Sequence, residues 1–176
     1  MRRRTAIRNA VLISAGAAFL HACENKATIA LKHIPLTGAE EDLLAELTET
    51  IIPKTDFPGA KDLKTADFVF MMADDCLGPD DQAKFSTGMK AFDDVCRSKM
   101  GSGFVKLSKE KRYEYLAMIE ADKEGTDVGA DVKWFYRAVK NGTIENFTSS
   151  QEYLTQVRNM TSLIPDKFVA CAPVNA

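Results

Sequence analysis

Histidine is almost missing from this 176-residue sequence, which holds only His21 and His33. General acid–base and nucleophilic chemistry draw most often on histidine or on a paired base. No Ser-His-Asp or Cys-His arrangement can be assembled, and nothing near His33 supplies a partner. The four cysteines, Cys23, Cys76, Cys96 and Cys171, form neither C-x-x-C nor C-x-x-C-H. That excludes attached c-type haem and the common zinc spacings. No apolar run approaches the roughly 20 residues that a membrane-spanning helix needs. Period-2 alternation and internal repeats are also lacking. Basic charge is scarce outside the first segment. Residues 1–22 hold four arginines and no acid, which leaves 19 basic against 25 acidic residues in the remainder. A chain with that acidic excess is not built to neutralise nucleic-acid phosphates, and it has no electrostatic reason to lie on anionic lipid.

What is present begins with an export signal. Met1 to Asn9 is basic, and residues 10–20 (AVLISAGAAFL) form an uncharged, mostly apolar run of 11 residues. Such a run is too short to span a bilayer and has the length of a signal-peptide core. Arg3 and Arg4, followed by Thr5-Ala6-Ile7-Arg8, resemble a twin-arginine export signal, a route that carries folded cargo. Leu20-His21-Ala22-Cys23 resembles a bacterial lipobox, with Leu three places before the cysteine and a small residue just before it. Cys23 is the expected lipidation site, and acyl chains there would hold the protein to the membrane at about 0.8 kcal/mol per buried methylene. The expected organisation is a signal peptide over 1–22, a polar tether over 23–34 and one helical domain over 35–176. The expected location is the periplasmic side of the envelope.

The body reads as an all-α bundle of five or six helices with an irregular C-terminal tail. Thr37 with Glu40 makes a capping box, and Leu43, Leu44, Leu47 and Ile51 recur at helical spacing until Pro53 ends the run. Thr65 to Cys76 reads as a second helix with Phe68, Met72 and Cys76 on its inner face. Gly78-Pro79 starts a third, on which Phe85, Met89, Phe92 and Cys96 form a stripe that Gly101 terminates. Ser108 caps a fourth, with Tyr113, Leu116 and Ile119 inside. A fifth carries Val132, Phe135, Tyr136 and Val139 and is expected to stop at Asn141-Gly142. A short sixth is expected from Ser150 to about Met160.

Few residues suggest chemistry. Asp74, Asp75, Asp80 and Asp81 flank a turn, but their spacing does not match a calcium loop, and acids at a helix N-terminus are favoured in any case. Gly101-Ser102-Gly103 has no preceding strand and is no phosphate loop. Trp134, Phe135 and Tyr136 are consecutive on a helix, so one face cannot bury all three. Trp134 either points outward as an interface anchor or packs under the C-terminal tail. With Cys23 lipidated, one disulfide at most can form. Cys76 and Cys96 flank a helix that separates them by more than ~20 Å at 1.5 Å per residue, beyond disulfide reach. Cys76 or Cys96 pairs with Cys171, or all three stay free.

Several blocks then resemble the gluconate 2-dehydrogenase subunit 3 family. They are Leu36-Thr37-Gly38-Ala39-Glu40, followed by residues 51–60 (IIPKTDFPGA); Asp75-Cys76 with Asp80-Asp81-Gln82, Phe85, Gly88 and Phe92-Asp93; Gly103-Phe104 with Leu107-Ser108; Phe147-Thr148-Ser149; and Ile164-Pro165-Asp166-Lys167-Phe168 with Cys171-Ala172-Pro173. The blocks fall in family order over about residues 36–174. Asn146 replaces a common glycine, and Asn tolerates a left-handed turn there. The resemblance implies a small gamma subunit without a catalytic, cofactor or metal site of its own. It implies a partner, an FAD-bearing flavoprotein of the glucose–methanol–choline type that oxidises a sugar or sugar acid, and a cytochrome c subunit that receives the electrons. The small subunit then serves folding, export and membrane attachment, and Trp134 and Phe147 are the candidate partner contacts. The alternative is a stand-alone periplasmic lipoprotein that binds another protein.

Overall fold

The computed structural model describes residues 26–122 and 127–160. Among these residues there are five α-helices: α1 Gly38–Ile51, α2 Thr65–Cys76, α3 Pro79–Met100, α4 Lys109–Ala121 and α5 Ala130–Ser149. A 3-10 turn, Phe104–Lys106, joins α3 to α4, and a π-helical turn, Tyr153–Val157, follows α5.

The helix ends follow local chemistry. Thr37 Oγ1 accepts from the Glu40 amide while the Glu40 carboxylate accepts from the Thr37 amide, so the capping box forms as read. Pro79 occupies the first turn of α3, where its missing N–H costs nothing, and Gly101 closes that helix at φ +79°. Ser108 Oγ accepts from the Lys111 amide at the start of α4.

The core is an aromatic cluster to which α2, α3, α4, α5 and the 3-10 turn each contribute a ring. Phe85 meets Phe70 and Phe135 edge-on, with centroids 6.3 and 5.1 Å apart. Phe92 meets Phe104, Tyr115 and Phe135 at 5.2, 5.0 and 5.7 Å. Edge-to-face pairs at such distances add about 0.5–1.5 kcal/mol each beyond area burial. Leu43, Leu44 and Leu47 of α1 close one side. α3 and α5 approach closely at Gly88, where an added Cβ would sit 2.7 Å from Phe135 Cβ and 2.8 Å from the Asp131 carbonyl oxygen.

Three details differ from the sequence reading. The inner face of α2 is Ala66, Val69, Phe70 and Ala73, while Met72 and Cys76 face outward. This helix is apolar nearly all round, so its own pattern admits two stripes. Gly142 of α5 selects between them by letting Val69 come close. Tyr113 is exposed and Tyr115 is buried, because the Tyr115 hydroxyl finds the Phe92 carbonyl at 2.7 Å and so satisfies its polar end. α5 does not stop at Asn141-Gly142 or turn at Asn146. It runs on to Ser149, and Asn146 Oδ1 accepts from the Thr65 hydroxyl on α2 at 2.7 Å.

Replacing Gly88 with Ala should destabilise the fold by about 1–3 kcal/mol, since the new methyl meets a backbone carbonyl that cannot step aside. Gly78→Ala, where nothing lies within 4 Å, should be close to neutral. Thermal or urea unfolding of the two variants checks the contrast.

Candidate functional site: a clasped N-terminal strap and two surface grooves

Asp74 stands in the last turn of α2, where the helix dipole disfavours an acid. Its carboxylate gathers three backbone amides of the N-terminal segment. Oδ2 accepts from the Lys32 N–H at 2.7 Å, and Oδ1 accepts from the His33 and Ile34 N–H groups, each at 2.8 Å. Asp74 is buried. Burial works to raise the pKa of this carboxyl but is outweighed by the three amide bonds, which hold it below the usual carboxylate range. The Lys32 ammonium pairs with Asp75, Gln82 Nε2 donates to the Asp74 and Leu77 carbonyls, and Ile34 is buried in the core. Further out, Thr28 bonds the Glu41 carboxylate, and Lys26 makes an antiparallel bridge to Thr37. Residues 26–34, within the stretch read as a polar tether, therefore form a strap bound to the bundle.

Two grooves flank α5. One lies between α4 and α5, holds about 520 Å³ and is lined by Glu120, Lys133, Tyr136, Arg137 and Lys140. Glu120 accepts from Lys140 Nζ and the Tyr136 hydroxyl, and these bonds hold its carboxyl below the usual range. The other lies between α2 and α5 and holds about 200 Å³. It is mainly apolar, with Val69, Met72, Ala73, Cys76 and Gly142 among its walls.

The candidate residues do not converge on one centre. Trp134 is half-buried at the edge of the core, with Lys84 Nζ 4.9 Å from its ring centroid. Phe147 is half-buried in the last turn of α5, its ring 5.3 Å from that of Tyr153. Cys96 is fully buried, and its thiol donates to the Ser102 carbonyl at 3.5 Å. Burial, reinforced by Asp93, pushes that thiol up to about 12, so it stays protonated at neutral pH. Cys76 is exposed at the end of α2. Arg3, Arg4, Cys23 and Cys171 lie outside the described residues. Among the described residues, no three His, Cys, Asp or Glu side chains are grouped to hold a metal ion. No described helix is long and apolar enough to cross a membrane.

Of the residues 51–60 that suggested the family, Ile51 ends α1 and 52–60 form a loop wrapped around Glu49. The Glu49 carboxylate accepts from the Lys54 and Lys61 amides, each at 2.9 Å, and Gly59 packs so tightly that an added Cβ would sit 2.5 Å from the Lys54 nitrogen. The motif is thus a compact loop on the outside of α1. The family model for gluconate 2-dehydrogenase subunit 3 matches residues 38–163, so the chain belongs to that family. No curated protein and no solved structure matches it. Membership places the chain among small subunits of dehydrogenase complexes.

Asp74→Asn replaces a carboxylate oxygen with an NH2 group that cannot accept from an amide, so the strap should detach and become an early site of limited proteolysis. The depressed folded pKa sets the pH dependence. The contribution of Asp74 is complete above its unfolded value near 3.8 and is lost as pH falls from there through the folded value. Strap protection should therefore be flat from neutral pH to about 5 and weaken only in stronger acid. Proteolysis or hydrogen exchange across that range measures it.

Proposed function

We propose that this chain is a non-catalytic gamma subunit, exported and lipid-anchored at Cys23, that supports the folding, export and membrane attachment of a flavin-dependent dehydrogenase. The observation that carries the reading is family membership across residues 38–163. The catalytic partner is a flavoprotein of the glucose–methanol–choline type that holds FAD and oxidises a sugar or sugar acid, with a cytochrome c subunit as electron acceptor. The structure supports a binding role through the open grooves on both sides of α5, lined by side chains held in place by ion pairs or packing. The folded-cargo signal at Arg3-Arg4 fits a subunit that lends its export signal to a partner.

Affinity-tagged protein recovered from its native membrane should bring down a flavoprotein with a flavin absorbance spectrum. Recovery of the chain alone, with the lipid attached, would favour a stand-alone lipoprotein. Replacing Arg3 and Arg4 with Lys should block export of this chain and hold the flavoprotein inside the cell. Appearance of both in the periplasm despite the substitutions would rule out the shared-signal mechanism.

A further inference from the structure

α5 sorts its charges by side. All three of its basic residues, Lys133, Arg137 and Lys140, line the groove against α4. Its acids fall elsewhere. Glu145 lines the α2/α5 groove, and with about 3.6 residues per turn Asp131 comes to the same far side of the helix. Across the basic groove α4 offers a single carboxylate, Glu120. Three cations thus meet one anion in a chain that holds 19 basic against 25 acidic residues beyond residue 22.

The cations are unequally engaged. Lys140 Nζ donates to Glu120, and Lys133 Nζ donates to the Asp122 carbonyl oxygen. Arg137 is exposed, and its guanidinium has no ion pair among the described residues. The same three residues begin a longer stripe. Ile144 and Phe147 continue their alternation of four and three residues, which keeps all five on one side of α5 over about 21 Å. Ile144 is 43% exposed, and Phe147 is half-buried against the Tyr153 ring. The stripe therefore passes from basic to apolar along the helix.

From this arrangement we infer that the side of α5 carrying Lys133, Arg137, Lys140, Ile144 and Phe147 docks an acidic segment of the catalytic subunit. That the occupant belongs to the catalytic subunit rests on the gamma-subunit reading above. That it is acidic rests on charge complementarity with the groove. A carboxylate entering beside Arg137 finds a bidentate partner and competes with Glu120 for Lys140. In the free chain Glu120 fills that place, accepting from Lys140 and from the Tyr136 hydroxyl. A small anion would leave Ile144 and Phe147 without a contact, whereas a polypeptide with an apolar residue beyond its acids covers both halves of the stripe. Of the two aromatic contacts expected from the sequence, Phe147 lies on this stripe and Trp134 lies off it, beside Lys84 of α3.

The test uses the full chain, tagged and recovered from its native membrane together with its partner. A water-soluble carbodiimide joins amines to carboxylates in direct contact and adds no spacer. Peptide mass mapping of the treated complex should find Lys133 or Lys140 joined to an Asp or Glu of the flavoprotein. Arg137→Glu should weaken retention of the flavoprotein at least several-fold and flatten its decline with salt. Lys99→Glu, the same charge change on α3 outside the groove, should leave retention unchanged. Glu120→Gln should act in the opposite direction, because it frees Lys140 while its amide oxygen still accepts from Tyr136. A merely structural role for Glu120 would not strengthen binding. Flavoprotein cross-links confined to other lysines would overturn the groove assignment and leave the gamma-subunit reading intact. So would retention that responds to neither Arg137→Glu nor Glu120→Gln, or cross-links that join two copies of this chain through the groove. If the parent chain brings down no flavoprotein, the gamma-subunit reading fails and the docking assignment falls with it.

Discussion

The close approach of α3 and α5 at Gly88 sets the rest of the bundle. Without a side chain at that position the two longest helices meet at backbone distance, and Phe85, Phe92 and Phe135 interlock around the contact. That triangle then receives Phe70 from α2, Tyr115 from α4 and Phe104 from the 3-10 turn. A small domain has little apolar area to spare, and concentrating it in edge-to-face rings gives α2, α3, α4 and α5 each at least one contact it cannot trade for another. The outer faces of α5 are then left to form the two grooves.

The acidic excess that discouraged a nucleic-acid reading has a structural destination. Asp74 accepts from three amides of the strap, Glu49 from two amides of the loop after α1, Asp93 from the Phe104 amide and Asp122 from the Val128 amide. In each case a carboxylate on a helix, or just past its end, pins an irregular segment whose N–H groups have no helical partner. Charge-assisted bonds of this kind are stronger than neutral ones, and they give the segments between the helices fixed connections to the bundle. Glu46 acts similarly between side chains, pairing with Lys61 and with Arg112, which itself donates to the Phe104 and Val105 carbonyls.

The sequence made α1, α3 and the two side-chain N-caps readable, because there a single apolar stripe coincides with clear start and stop signals. It failed on α2, whose two apolar stripes could be separated only by Gly142 of α5, a residue 73 positions past Val69. The same glycine misled the reading of α5. Asn141-Gly142 looks like a stop, yet the missing side chain serves helix packing. Asp74 was visible as one of four clustered acids, but its partners are backbone amides about 40 residues earlier, and amides carry no sequence signature. The one available signal was its position, a carboxylate at the helix end whose dipole repels it. The grooves beside α5 were illegible for a related reason, since a groove is a property of two helices and of what each leaves uncovered.

The strap couples the chain's order of events to its shape. Ile34 and Asp74 lie on opposite sides of α1 in sequence, and the carboxylate is presented to the amides only once α2 has wound and seated. Residues 26–34 therefore take their bound course only against a seated α2, so the segment that leads into α1 is tied to the second helix of the bundle as well as to the first.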